Sequence, residues 1–212
     1  MMYLMRGQYG AALRQLDGAK SGGASESDVE NLRGLTYLLS GDAKQALASF
    51  DRALALKPAL QEARFNRALA MLQLGEPARA SAELQKIYAD EASPLRAAAA
   101  YHNGLALDAL KKTAEAEQWL ERALTLDASY DAALLYVGML RERRGDLQGG
   151  GRAYLDYLKR HPHSVVAMLR FGMSAHRAGR TDVATTYLKK VTELAPDSAE
   201  AVEARKFLVM WE

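Results

Sequence analysis

A spacing of 34 residues constrains this chain more than any other feature. The stretch from Gly34 to Pro58, GLTYLLSGDAKQALASFDRALALKP, holds a small residue, a Tyr three residues later, a Gly four after that, and then Ala46, Phe50, Ala53 and Pro58. With Gly34 at position 8 of a unit, the pattern repeats over 27–60, 61–94, 97–130, 131–164 and 165–198, with only a two-residue insertion, Leu95 and Arg96. A unit of that length is a pair of short antiparallel helices that cannot bury its apolar face alone, so neighbours must stack on one another. The expected architecture is all-α: a right-handed solenoid of about six helix pairs, forming one domain over 1–212 and closed by a capping helix over 199–212.

The columns of the repeat read as a packing code. Position 8 is Gly34, Ala68, Gly104, Gly138 and Gly172, and position 20 is Ala46, Ala80, Ala116, Gly150 and Ala184. Small residues there let the two helices of a unit approach closely. Position 24, with Phe50, Leu84, Leu120, Tyr154 and Leu188, is expected to fill the space between units. Position 15 is Gly41, Gly75, Gly145 and Gly179, where the first helix must end in a left-handed turn that costs Gly little; Lys111 breaks the series. Ser27 with Glu30 has the spacing of a capping box, and Pro58, Pro162 and Pro196 stand where second helices close. Through these residues the chain resembles the tetratricopeptide repeat family over almost its whole length, and the resemblance implies binding rather than catalysis.

Counting back, Met1 falls at position 9 of a partial repeat, 1–26, with Tyr3 at position 11, Gly7 at 15, Ala12 at 20, Leu16 at 24 and Ala19 at 27. The half-helix leaves Met1, Met2 and Leu4 without apolar partners, so native residues are expected to precede Met1, the alternative being a short natural N-terminal cap. At the other end, Ala199 to Glu212 carries Ala201, Ala204, Leu208 and Trp211 on one stripe and is expected to cover the last repeat.

Composition narrows the chemistry. Absence of Cys excludes disulfides, thiol catalysis and zinc–thiolate sites. No Ser/His/Asp order, paired carboxylates or Gly-rich phosphate loop is recognisable, so neither an enzyme nor a cofactor is expected. His161-Pro162-His163 lies on an inter-repeat turn with no carboxylate or Cys at ligand spacing, and no metal is expected there. Gly149-Gly150-Gly151, at positions 19 to 21 of a second helix, reads as a locally loose helix start, the alternative being a hinge between the front and back of the solenoid. Trp119, at position 23, faces outward, either as an anchor for a second partner or as a ring lying over charged stems.

In stacked helix pairs the first helices line the concave surface, through positions 2, 5, 6, 9, 12 and 13. Position 9 is Leu35, Leu69, Leu105, Met139 and Met173, and position 5 includes Phe65, Tyr101, Leu135 and Leu169. The contact stripe expected to hold a partner segment is Leu35, Phe65, Leu69, Tyr101, Leu105, Leu135, Met139 and Met173; the competing reading is that these side chains complete the core. The carboxylate clamp of chaperone-binding family members is missing, because Leu and Met replace its Asn at position 9, and Asp28 and Glu62 stand at position 2. Asn66 and His102, at position 6, remain candidates to bond a bound backbone.

Net charge is only +2, but nine Lys/Arg against three Asp/Glu fall between Arg141 and Arg180. Arg143, Arg170 and Arg177, with His176, form a cationic patch that is either a solvated face or a guide for acidic groups or phospholipid headgroups. Aromatic platforms are not interleaved with these cations, so nucleic acid is not an expected partner.

In its organisation, bare repeats with no second domain, the chain is also similar to the outer-membrane pilotin lipoproteins of type IV pilus systems, including those of gliding bacteria. That resemblance implies a non-enzymatic assembly factor with a protein partner, a secretin or another pilus component. It also implies a location on the periplasmic face of the outer membrane, held by an N-terminal lipid anchor outside this sequence. The alternatives are a cytosolic adaptor or chaperone for an exported subunit, in the cytoplasm, and a recruiting domain of a larger enzyme.

Overall fold

The computed structural model describes residues 7–21 and 23–211; the expectations placed on Met1, Met2, Tyr3, Leu4 and the side chain of Ala19 lie outside what is described. Every regular element among the described residues is helical. In order they are α1 Tyr9–Ser21, α2 Glu26–Leu39, α3 Ala43–Leu56, α4 Gln61–Gln73, α5 Pro77–Ala89, α6 Arg96–Ala109, α7 Thr113–Leu126, α8 Asp131–Arg143, α9 Leu147–Arg160, α10 Val165–Arg177, α11 Thr181–Leu194 and α12 Ala199–Met210. The chain divides into two compact units, residues 1–119 and 120–212, the division falling inside α7.

In unit 1, α2 packs on α3 and α4 on α5, and the first helices α2, α4 and α6 touch in succession. One core cluster centres on Ala46, Phe50 and Ala53 and another on Ala68, Met71, Leu84 and Ile87. In unit 2, α8 packs on α9 and α10 on α11, while α12 lies on both α10 and α11. Its core holds Tyr154, Leu158, Phe171, Leu188 and Val191, and α12 closes it with Ala201 and Ala204, backed by Phe207, Leu208 and Trp211.

The packing code holds, with one change of partner. Phe50, Leu84, Leu120, Tyr154 and Leu188 are all 0% exposed. Position 24 does not merely fill space between units, as expected; it presses on position 8 of its own pair. A Cβ added to Gly34 would lie 2.6 Å from the Phe50 ring, one on Gly138 would strike the Tyr154 ring, and one on Gly172 would sit 3.0 Å from Leu188 Cδ2. The turn code is also met: Gly41, Gly75, Gly145 and Gly179 have φ of +88°, +75°, +84° and +77°. Lys111 takes the same turn at φ +63°, so backbone geometry there is set by the repeat rather than by the residue.

Two local expectations are corrected. Ser27 and Glu30 do not form a capping box: α2 starts at Glu26, and both residues are buried inside it. Glu30 is drawn away by arginines, accepting from Arg33 Nε at 3.3 Å and from Arg52 Nε of α3 at 2.7 Å. Nor is the glycine run a loose helix start. α9 is continuous from Leu147, its N-cap Asp146 accepts the Gly149 N–H at 2.8 Å, and all three glycines are buried. Burial offsets the low helix propensity, because a Cβ on Gly150 would press on the Gly138 carbonyl at 3.0 Å.

Candidate functional site

Helix periodicity puts positions 6, 9, 12 and 13 on one side of each first helix, about 100° per residue apart. In unit 1 these positions converge. Leu38 of α2, Leu69, Leu72 and Gln73 of α4, and His102 of α6 line a cleft of about 460 Å³. The walls are aliphatic, and two side chains supply polarity. Gln73 is exposed, while His102 is half-buried with its ring edge-on to Phe65 at 5.5 Å and to Tyr101 at 5.1 Å. Burial lowers the His102 pKa to about 4, so near neutral pH the imidazole is uncharged, with one N–H donor and one acceptor nitrogen. Its nitrogens make no hydrogen bond among the described residues. Burial also raises the Tyr101 pKa, which keeps its hydroxyl protonated. Such a cleft can take an apolar side chain while His102 and Gln73 bond the adjoining main chain.

The sequence-derived stripe falls partly on this cleft. Leu69 lines it directly, and Phe65 and Tyr101 support His102. Leu35 and Leu105 are half-buried on α2 and α6 outside the lining. In unit 2 the stripe merges with the core: Leu169 is buried, and Leu135, Met139 and Met173 pack against the same cluster. Asn66 is half-buried and does not line the cleft. Leu38, Leu72 and Gln73 also line the cleft but lie outside the sequence-derived stripe, although they stand at positions 12 and 13, which the repeat pattern expects on the concave surface.

On the first-helix face of unit 2, one arginine of the patch, Arg177, is tied to a buried carboxylate. Glu142, whose side chain is 7% exposed, receives Arg177 Nη1 at 3.4 Å and the Tyr154 hydroxyl at 2.6 Å. The Tyr154 pKa is driven well above the ordinary tyrosine range, first by burial and then by that carboxylate, with Arg170 and Arg177 close enough to oppose the shift. Arg143 and Arg170 are exposed. His176 stacks on Trp211, the residue that ends α12, centroids 3.7 Å apart, so it serves the cap rather than an open face.

His161 does meet a carboxylate, one that sequence spacing hid. Asp131, 30 residues earlier at the start of α8, accepts from His161 Nε2 at 2.6 Å and from Arg160 Nη1 at 2.6 Å. These contacts lower the Asp131 pKa, with the His161 bond the largest cause. The cluster ties the two ends of repeat 131–164 together, and Arg160 also donates to the Ala128 carbonyl of the repeat before it. Among the described residues no group of three or more His, Cys, Asp or Glu is placed to hold a metal ion, and no helix is long and apolar enough to cross a membrane. Trp119 is half-buried, edge-on to Tyr88 at 4.7 Å, and Tyr88 lies under the Arg96 guanidinium at 5.3 Å.

A family profile described as "Tetratricopeptide repeat" matches residues 31–94, 65–131 and 138–199. A search of curated protein sequences gives no significant match. Among solved structures, PilW, titled a widely conserved type IV pilus biogenesis factor, superposes with a TM-score of 0.84 at 23% identity, covering 94% of this chain and 92% of that one. Pseudomonas aeruginosa pilF gives 0.80 at 20% identity over 96% and 92% of the two chains. MamA gives 0.69 at 24% identity over 79% and 96%. At these identities the likeness is one of fold.

Proposed function

The chain belongs to the tetratricopeptide repeat family, and from that premise we propose that it is a non-enzymatic interaction scaffold whose unit 1 holds a partner segment in the cleft of Leu38, Leu69, Leu72, Gln73 and His102. One observation carries the reading. An uncharged imidazole without a hydrogen-bond partner among the described residues stands at the edge of an open aliphatic cleft. A polar group left so placed in a stable fold has its partner in a ligand or in water, and the aliphatic walls favour a ligand with an apolar side chain.

The finer assignment is an assembly factor for type IV pili that assists a secretin at the periplasmic face of the outer membrane. It is supported by the likeness in fold to PilW and pilF over nearly the full length of both chains. Two measurements test it. The double variant Leu69→Asp with Leu72→Asp should abolish capture of the partner while leaving far-ultraviolet circular dichroism unchanged; retained capture would discard the cleft. Deleting the gene should deplete heat-resistant secretin multimers in the outer membrane. Normal multimers, with the protein in the soluble fraction, would refute the pilus role and favour the cytosolic adaptor.

A further inference from the structure

The cationic stretch from Arg141 to Arg180 does not behave as one surface. Arg141 is bound to Glu121 at 2.6 Å, Lys159 to Asp156 at 2.7 Å, Arg160 to Asp131 at 2.6 Å and Arg177 to Glu142 at 3.4 Å. Arg152 and Arg180 are different: both are exposed, and neither side chain makes a hydrogen bond or ion pair among the described residues. They stand 28 positions apart in sequence, yet both border the same cleft, about 280 Å³ in volume, between α9 and the α10–α11 turn.

The cleft exists because position 21 of this repeat has no side chain. Leu47 and Ser81 occupy the same column in unit 1; here it is Gly151. A Cβ on Gly151 would find only the Phe171 ring, at 3.6 Å, so the space above it is open. Leu147, Leu155 and Phe171 make the apolar walls, and Phe171 is held edge-on by Tyr187 at 4.7 Å. A second depression of about 440 Å³ shares Arg152 and Leu155 and runs on to Tyr187. Its one carboxylate, Asp156, is neutralised by Lys159. None of these residues lines the cleft of unit 1.

We propose that this is a second docking site, taking an acidic peptide segment that inserts one large apolar side chain over Gly151 while its carboxylates meet Arg152 and Arg180. Charge complementarity selects the occupant: two unpaired guanidinium groups flank an apolar slot of side-chain size, with no free acidic group in the lining. Gly151 is then a specificity residue, and the glycine run has a function besides packing.

The test uses the whole protein and a fluorescein-labelled pentapeptide, Asp-Glu-Phe-Glu-Asp, read by fluorescence anisotropy. Versions with Phe replaced by Ala, and with all acidic residues replaced by Lys, serve as controls. Saturable binding of the first peptide is expected, weakened about tenfold or more by either control change and by raising salt. Gly151→Leu, which fills the slot, and the surface variant Arg152→Glu with Arg180→Glu should each weaken it at least as much, with unaltered circular dichroism. Leu69→Asp with Leu72→Asp should leave it unchanged, which separates this site from the cleft of unit 1. No binding to the wild type at millimolar peptide, equal binding of the Lys peptide, or binding indifferent to both unit 2 variants would overturn the proposal. So would binding to anionic phosphatidylglycerol vesicles in place of the peptide.

Discussion

Replacing Gly34 by Ala puts a methyl group 2.6, 2.7 and 2.9 Å from Phe50 Cε1, Cδ1 and Cζ. Carbon atoms in contact prefer about 3.5–4.0 Å, and the ring has nowhere to go, since Phe50 is 0% exposed. Overpacking of that kind costs about 1–3 kcal/mol, against which Ala returns about 1 kcal/mol of helix propensity. The expected net effect is a loss of up to about 2 kcal/mol. Gly151→Ala is the same chemical change with the opposite sign expected, because its methyl meets only Phe171 at 3.6 Å; it should gain up to about 1 kcal/mol. The two tryptophans allow each unit to be followed alone: Trp119 lies in unit 1 and Trp211 in unit 2. Guanidinium titrations in a Trp211→Phe background report Gly34→Ala, and in a Trp119→Phe background Gly151→Ala. Adding Phe50→Leu to Gly34→Ala should restore part of the loss, reproducing the pairing of Ala68 with Leu84 in the next repeat. A Gly34→Ala that stabilises as Gly151→Ala does, a destabilising Gly151→Ala, or a double variant no better than the sum of its parts would refute the argument that position 24 presses on position 8.

Tyr154→Phe removes the hydroxyl that donates to the buried Glu142 carboxylate at 2.6 Å, and a loss of about 1.5–3 kcal/mol is expected in thermal or denaturant melts. Because the folded Tyr154 pKa is raised, its contribution is full below the ordinary tyrosine value and lost as pH rises beyond it; the alkaline limb of stability should flatten in the Phe variant. His102 acts at the other end: its pKa is lowered to about 4 from 6.5, so the unfolded chain takes up a proton first and stability is lost as pH falls from about 6.5 towards 4. The loss is on the order of 3 kcal/mol, and His102→Leu should remove that dependence in melts run across the same pH range. Lys111→Gly relieves a left-handed backbone at φ +63° and should raise stability by about 1 kcal/mol, measured by the same titration.

The 34-residue spacing was enough to place nearly every helix. Helix starts and ends follow from position 15 and the closing prolines, and the buried columns 8, 20 and 24 follow from residue size. The reason is that each unit contacts only its neighbours, so a one-dimensional pattern carries most of the packing. Even Lys111, the residue that departs from the code, folds as its column dictates.

What the sequence left open are choices made by long side chains and by empty space. Ser27 and Glu30 have the spacing of a capping box, but only the folded chain brings Arg52 to 2.7 Å from the Glu30 carboxylate, which takes that carboxylate out of the cap. The basic residues between Arg141 and Arg180 look alike in sequence, and tertiary structure alone decides that Arg141, Lys159, Arg160 and Arg177 find carboxylates while Arg152 and Arg180 border a slot. The stripe of apolar residues at positions 5 and 9 is uniform in sequence, yet it borders a cleft in unit 1 and closes the core in unit 2. Periodicity fixes where a Cα lies, whereas the reach of a side chain and the vacancy over a glycine depend on which residues the neighbouring repeats present; those become definite only when the repeats are stacked.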